Sequence, residues 1–535
     1  MATKLTTFSK LLITLLILAL IVAAGWYLLN KTSLGDQLKE NSEKVEAPTK
    51  GTSSSSKSNE SKSNTDVAKG DDVLNVQLVS WGGYAPGLYF NEGAAANTRS
   101  RFYKDYGFKV NFILDNDLIN AMNAWMAEDY DVLVQTADAF PFYTAPDDLK
   151  PFKPRAFMQV DWSRGGDAII VKRGINTIND LKGKKVAVAV PSPAQTLLIT
   201  ALEAAGLSYS DVTAIETQDN IVSAQSFKSA DVDAAVVWSP DDILATRDVA
   251  GSKILLTTRQ QSHIIGDIMF ASEDYILQNK EMINQFYEGW MKGLAEINAN
   301  PGNMKKAAKY LAEFNDVAVE DAEGMIDNVY LANHGDNVNF FGLNPQYRGQ
   351  KGSDLYNKMA QKFVEIKALD KMAPTWRTIA YSGAIQQAQS KLVGARYEAE
   401  KPKEFVRATP AETVKPAIAS RPASINFASG QYLLSENAKS LIDLQFADIA
   451  KSFANARIRI EGNTDNVGGK QMNIDLSRKR AQSVANYLAS QYGMDIDRFI
   501  IIGNGPDKPI SGCETNATEA CKAKNRRTEF QLIAD

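Results

Sequence analysis

Hydrophobic and polar positions divide the chain into stretches with different rhythms. Leu11 to Leu29 is largely apolar and carries no charge, and a run of that length crosses a bilayer as a helix. Lys4 and Lys10 precede it, and Trp26 and Tyr27 stand near its far end. Basic residues stay on the cytoplasmic side and aromatic rings favour the interface. The pattern predicts a cytoplasmic tail at 1–10, a transmembrane anchor at 11–29 and export of everything beyond. A cleaved signal peptide is the rival, with Val22-Ala23-Ala24 as the cut site, but the run exceeds a usual signal core and no Ala-x-Ala closes it. Residues 30–72 hold Ser, Lys and Glu with few apolar side chains. Such a stretch buries too little surface to fold and predicts a disordered linker, with a stretched reach of about 130 Å.

From Val73 the rhythm becomes one of short apolar runs separated by helical periods. Val73–Val79, Lys109–Ile113 and Tyr130–Val134 read as one set of strands. Ala168–Val171, Lys185–Val190, Val212–Glu216 and Ala234–Val237 read as a second, with a helix from Ala194 to Ala205 closed by Gly206. Strand–helix alternation predicts mostly parallel sheets covered on both faces, and two sets predict two lobes within residues 73–395. Glu281–Asn298, Asn303–Phe314, Val319–Leu331 and Gly352–Leu369 have helical spacing, and their aromatic residues read as core.

Parallel sheets bind ligands beyond the carboxyl ends of their strands. That rule selects Trp81, Gly82 and Tyr84 after the first strand, Thr136 and Asp138 after the third, Ser192, Gln195 and Thr196 at a helix start, and Trp238 and Asp241 after Val237. Hydroxyls and free N–H groups at a helix start favour an anion, and Trp81, Tyr84 and Trp238 suit a cleft wall. Ser192 and Asp241 also read as N-caps and the rings as core, and a cap at the mouth of a cleft is both.

Residues 396–422 carry Pro402, Pro410, Pro416 and Pro422 among charges and predict a semi-stiff linker. Beyond it, Arg457-Ile458-Arg459-Ile460 alternates as a strand with one buried face. A polar loop from Asn463 to Lys470 leads into a helix with Leu476, Val484 and Leu488 on one side. Asp465 leaves the strand end and Arg480 lies in the helix. A carboxylate and a guanidinium at opposite ends of a small pocket suit a ligand bearing both an ammonium and a carboxylate. A surface salt bridge with an Asx turn at Asp465 explains the same spacing.

The formal net charge is −4, spread along the chain, which argues against a nucleic-acid partner. Two distant His residues and two Cys predict no metal and no cofactor. No nucleophile–base pair or paired acids have catalytic spacing, so an enzyme of the transglycosylase or pyrimidine-synthase sort is set aside. In an exported chain Cys513 and Cys521 predict a local disulfide.

Two stretches resemble known families. Thr464-Asp465-Asn466, Gly468, Asn473, Leu476-Ser477, Arg480-Ala481, Val484, Gly503-x-Gly505, Pro509 and Asn525-Arg526-Arg527-x-Glu529 follow the order of the OmpA-like peptidoglycan-binding domain, over 423–535. The resemblance implies an α+β domain in which Asp465 takes the amine and Arg480 the carboxylate of the diaminopimelate stem. Asn473, Leu476, Ser477 and Arg526 complete the set. Asn463 stands where the family commonly has His.

The stretch from 73 to about 390 resembles the periplasmic solute-binding proteins of the nitrate, sulfonate and taurine transport class. The likeness rests on Ser80-Trp81-Gly82-Gly83-Tyr84-Ala85-Pro86, Gly165-Gly166-Asp167-Ala168-Ile169-Ile170-Val171, Thr177 to Ala187, and Val236-Val237-Trp238-Ser239-Pro240. It implies an α/β, type II periplasmic-binding-protein-like body whose lobes close on a small anionic or zwitterionic solute. Together these readings give a single-pass inner-membrane protein of a Gram-negative envelope. Its periplasmic bulk grips peptidoglycan and presents a solute module to a permease or a sensing complex. A purely structural membrane-to-wall tether with a vestigial cleft is the alternative.

Overall fold

The computed structural model describes residues 67–533, apart from 69, 424, 426, 428 and 429. The expected tail and anchor, and nearly all of the expected linker at 30–72, lie outside the described residues. Among the described residues no helix is long and apolar enough to cross a membrane.

In chain order the first strands are β1 (Val73–Leu78), β2 (Lys109–Leu114), β3 (Leu133–Thr136), β4 (Pro154–Gln159) and β5 (Asp161–Ser163). Next come β6 (Asp167–Val171), β7 (Lys185–Ala189), β8 (Thr213–Thr217), β9 (Ala234–Trp238) and β10 (Lys253–Thr257). The chain returns through β11 (Asp267–Ser272) and β12 (Val329–Leu331).

The first lobe pairs β1 with β2 in parallel and orders β3, β11 and β4 antiparallel. A bridge between Val76 and Val132 joins the two sheets. The second lobe is a five-stranded sheet ordered β10-β6-β9-β7-β8. Only its β7–β8 and β7–β9 pairs are parallel, so the mostly parallel sheets expected from the alternation are mixed. The reason is connectivity. The chain crosses between lobes after β5 and again before β11, and each crossing delivers a strand in the reverse direction. Asp167 and Asp267 stand at the first positions of the strands that follow these crossings.

The helix expected at Val319–Leu331 ends at Asp327, and its last residues form β12 paired with β5. The first lobe's core is aromatic, with Phe90, Phe102, Phe112, Phe286, Tyr287 and Trp290 fully buried. The second lobe packs Leu197, Leu198 and Ala201 of helix α1 (Pro193–Ala204) against its sheet.

The last domain is a sheet ordered β13-β16-β14-β15, with β13 at Ala417–Ala423, β14 at Arg457–Asn463, β15 at Phe499–Gly505 and β16 at Thr528–Ile533. Helix α2 (Lys470–Tyr492) lies on β14 and β15. Contact is close because Gly462 and Gly503 carry no Cβ. A Cβ on Gly462 would stand 2.1 Å from the Ser477 carbonyl oxygen.

Two expectations change here. Residues 396–422 are packed, and their last part is strand β13, where the edge position tolerates Pro422. β14, expected to bury one face, is buried at all seven positions. The two facts share a cause, because residues 405–415 cover the face from which Arg457 and Arg459 project. Arg457 donates to the Val406 carbonyl at 2.9 Å and to Glu412, and Arg459 donates to the carbonyls of Thr413 and Lys415. The domain is also continuous with the second lobe. Ile418, Ala419, Phe446 and Phe530 belong to one apolar cluster with Leu197 and Leu198, and Arg421 donates to the Glu203 carbonyl at 2.5 Å.

Candidate functional site

Two places gather the selected residues. In the cleft, the turn after β1 sets Trp81 so that its indole Nε1 donates to Asp161 Oδ2 at 3.0 Å. Room for that pair comes from two glycines. A Cβ on Gly83 would overlap the Asp161 carboxylate, and one on Gly166 would meet the Trp81 ring. Tyr84 is fully buried, and its hydroxyl donates to Asp267 Oδ2 at 2.5 Å. Gly82 packs on the Met325 backbone. Tyr84 and Gly82 are therefore parts of the frame and not of an open wall. Trp238 is 36% exposed.

Asp138 follows β3 of the first lobe and is fully buried, and neither carboxylate oxygen has a hydrogen-bond partner among the described residues. Burial pushes its carboxyl up to about 7. The neighbouring Thr196 and Thr136 hydroxyls favour the charged form, although neither meets hydrogen-bond geometry, and Asp167 opposes it. Thr196 and Gln195 belong to α1 of the second lobe. The Thr196 hydroxyl and Gln195 Oε1 are buried without a partner, as is the Thr136 hydroxyl. Thr136, Asp138 and Thr196 are thus brought together where the lobes meet, while Gln195 Nε2 reaches the Tyr209 hydroxyl at 3.4 Å.

Ser192 caps α1, accepting from the Ala194 N–H at 3.2 Å and donating to the Ala189 carbonyl at 2.8 Å. Pro193 has no N–H, and the Gln195 N–H returns to the Ser192 carbonyl. The anion seat expected at this helix start therefore has its first donors already engaged. Asp241 accepts from Asn220 Nδ2 at 3.0 Å, and burial raises its pKa.

Asp161, Asp167, Asp242 and Asp267, not selected from the sequence, are also buried in this region. Burial pushes the Asp167 carboxyl up to about 6 and raises Asp242. Burial raises Asp161 and Asp267, with repulsion from Asp267 adding to it at Asp161 and repulsion from Asp167 at Asp267. The available signal was a carboxylate placed directly before an apolar strand, as in Asp167-Ala-Ile-Ile-Val and Asp267-Ile-Met-Phe-Ala.

In the last domain Asp465 follows β14 and is 8% exposed. Its Oδ1 accepts from the Val467 N–H at 3.0 Å, the Asx turn, and its Oδ2 accepts from Arg526 Nη1 at 2.7 Å. Arg480, half-buried on α2, lies over the Phe427 ring at 4.9 Å and donates from Nε to the Gln431 carbonyl. Burial lowers its pKa, while Asp465 raises it and Arg526 lowers it. The Asp465 and Arg526 charges thus both act on Arg480. Asn473 donates to the Val467 carbonyl, holding the loop to the helix. Ser477 accepts from the Gly505 N–H at 3.0 Å, tying the helix to β15. These two position the pocket, and Leu476 is half-buried beside Ser477. Asn463 is buried, and its Oδ1 accepts from Asn504. Cys513 and Cys521 form the expected disulfide, with Cα atoms 5.0 Å apart. Asn525 donates to the Cys513 carbonyl just before Arg526. No group of three or more His, Cys, Asp or Glu among the described residues is arranged to hold a metal ion.

Residues 96–304 match the family model described as NMT1/THI5 like, and residues 426–526 match that of the OmpA family. The chain thus carries, in order, a stretch that matches the NMT1/THI5-like model and one that matches the OmpA family model. Among curated proteins, the peptidoglycan-binding protein ArfA of Mycobacterium tuberculosis is 43% identical over 84 residues, 16% of this chain and 24% of that protein. The probable lipoprotein YiaD of Escherichia coli is 40% identical over 86 residues, 16% of this chain and 37% of that protein. The match therefore spans about a quarter to a third of these relatives' length. Among solved structures, the periplasmic aliphatic sulphonate binding protein SsuA from Escherichia coli aligns with 58% of this chain and 99% of its own at 17% identity and a TM-score of 0.44. The periplasmic nitrate-binding protein NrtA from Synechocystis aligns with 60% of this chain and 89% of its own at 13% identity and a TM-score of 0.44.

Proposed function

We propose that this protein is an envelope adaptor that grips peptidoglycan through its last domain and carries a small-solute-binding module in the periplasm. The observation that carries the reading is the pocket of Asp465, Arg480 and Arg526. A buried carboxylate and two guanidinium groups there complement a ligand with both an ammonium and a carboxylate, as the diaminopimelate stem has. The pocket lies in the segment that matches the OmpA family and ArfA. Residues 11–29 supply an inner-membrane anchor in this reading, and the linker behind it gives the reach to the wall. The solute module delivers its ligand to a permease or reports it to an envelope complex. Buried, unpartnered polar groups where the lobes meet favour a working cleft over a vestigial one, because orphaned polar atoms are costly unless a ligand satisfies them. The test is sedimentation of the purified full chain with isolated sacculi, with free diaminopimelate as competitor. Pelleting that the competitor suppresses is expected, and failure to pellet overturns the reading.

A further inference from the structure

The region where the lobes meet is acidic. Asp138 leaves β3 in the first lobe, Asp161 and Asp267 border the two crossings, and Asp167 opens β6 in the second lobe. All four are buried, from fully enclosed for Asp138 and Asp161 to 6% exposed for Asp267. They act on one another. Asp138 feels Asp167, Asp161 feels Asp267 and Asp167, and Asp267 feels Asp167.

The donors that hold them are neutral. Trp81 donates to Asp161, Tyr84 to Asp267 and Ser163 to Asp167. Such bonds orient a carboxylate without cancelling its charge. None of the leading influences on the four comes from a Lys, Arg or His. A buried carboxylate without a cation is expensive, and the cost persists in a fold only when a ligand or a proton relieves it.

The second observation concerns unpartnered atoms. Both oxygens of Asp138 and Oδ1 of Asp161 accept nothing from the described residues, although both residues are wholly buried. The Thr196 hydroxyl and Gln195 Oε1, from the opposite lobe, are also unpartnered. The Ala137 N–H donates to the Gly266 carbonyl at 2.8 Å and the Val160 N–H to the Asp267 carbonyl at 2.7 Å, so Asp138 and Asp161 both stand at the start of β11, with Thr196 of the other lobe beside Asp138. Apart from the hydroxyls, they are acceptors. The arrangement asks for a ligand that brings N–H donors and positive charge, and the described carboxylates are not placed to chelate a metal ion.

We infer that the cleft takes a small organic cation, an ammonium- or guanidinium-bearing solute whose N–H groups bond Asp138 and Asp161 while Thr196 closes on it from the second lobe. This rests on the solute-binding reading and narrows its expected anionic or zwitterionic solute to one that carries a cationic group. An anion would meet uncompensated carboxylates and a helix start whose first donors are taken.

The experiment measures thermal midpoints and calorimetric affinities of the full chain in detergent. One panel is 1,4-diaminobutane, agmatine and arginine, and the other is nitrate, methanesulfonate and ethanesulfonate. Native mass spectrometry of the protein as purified runs alongside. Asp138→Asn and Asp161→Asn are compared with wild type, and sacculus pelleting serves as the check that each is folded. A midpoint rise with at least one cation, lost about tenfold or more in affinity in either folded variant, is expected. A rise with the anions and none with the cations overturns the inference and leaves solute binding intact. The same holds for a neutral or anionic molecule found bound after purification, or for cation binding that both variants retain. No shift with either panel and no bound molecule overturns the solute-binding reading along with it.

Discussion

Arg526 donates from Nη1 to Asp465 Oδ2 at 2.7 Å, and from Nη2 to Glu519 Oε1 at 2.8 Å. The carboxylate expected to receive an amine is thus already aimed by a guanidinium, while its other oxygen is fixed by the Val467 N–H. Each carboxylate oxygen keeps further acceptor capacity. In the proposed reading a ligand ammonium joins a network that is already set, and Arg480, held to the Gln431 carbonyl through its Nε, is the cation assigned to a ligand carboxylate.

Asp465→Ala and Arg480→Ala should each abolish co-sedimentation with sacculi, and Arg526→Ala should weaken it by about tenfold, the scale of one charge-assisted hydrogen bond. Circular dichroism should show all three folded. If the Asp465 and Arg480 variants both pellet like wild type, the assigned roles are wrong.

The disulfide closes a loop with a sequence separation of 8, and Arg526 follows immediately after the short helix that carries Cys521. Loop-closure entropy gives such a link about 2–3 kcal/mol. Reduction should lower the thermal midpoint by a few degrees. It should also weaken sacculus binding, because Asn525 holds Arg526 against the same loop through the Cys513 carbonyl. An unchanged midpoint after complete reduction, checked by thiol titration, would count against a structural bridge.

The buried acids make a pH prediction whose sign is opposite to the usual carboxylate case. Asp138 ionises near its ordinary 3.8 when unfolded and near about 7 when folded. Thr136 and Thr196 lie alongside it, and Asp167 is the charged group facing it. Between those values the folded state holds a proton that the unfolded state has released, so stability falls as pH rises through that window. Asp138→Asn removes the liability. It should raise the midpoint of the ligand-free protein at pH 8 and change it little at pH 4, an effect of a few kcal/mol at most. Equal effects at both pH values would show that Asp138 is not carrying this linkage.

The cleft and the wall pocket differed in how much their residues disclosed. Asp465 and Arg480 were legible as a loop carboxylate and a helix guanidinium in one continuous stretch, and the local disulfide from two nearby Cys, whereas Arg526, 61 positions beyond Asp465, entered only through the resemblance. Strand positions in both lobes were legible from apolar runs. The acids Asp161, Asp167 and Asp267 were not, because they meet only after the chain crosses twice between lobes. A rule that looks after each strand misses residues that stand before one. Tyr84 and Gly82 were selected by that rule and prove to be framework, since burial against Asp267 and Met325 cannot be read from position. Residues 405–415 hid a covering segment behind a linker-like composition. Of their own side chains only that of Phe405 is buried, and the bonds that hold the segment come from Arg457 and Arg459.

Those two arginines give the last prediction. Arg457 and Arg459 are 8% and 9% exposed, and their guanidinium groups satisfy the carbonyls of Val406, Asp497, Thr413 and Lys415. Phe405 lies against Arg457 with its ring 5.4 Å from the guanidinium carbon. Lysine cannot reproduce a fork that reaches several carbonyls at once. Arg457→Lys should therefore destabilise nearly as much as Arg457→Ala, each by on the order of 3 kcal/mol, because the loss leaves buried carbonyls without donors. The domain shares an apolar cluster with the second lobe through Ile418, Ala419 and Phe446. The loss should accordingly lower the unfolding midpoint of both parts together in denaturant, followed by tryptophan fluorescence, since Trp238 lies in the second lobe and the last domain has no tryptophan of its own. If the fluorescence midpoint stays at the wild-type value while far-ultraviolet dichroism shifts, the two parts unfold independently and the shared cluster does not couple them.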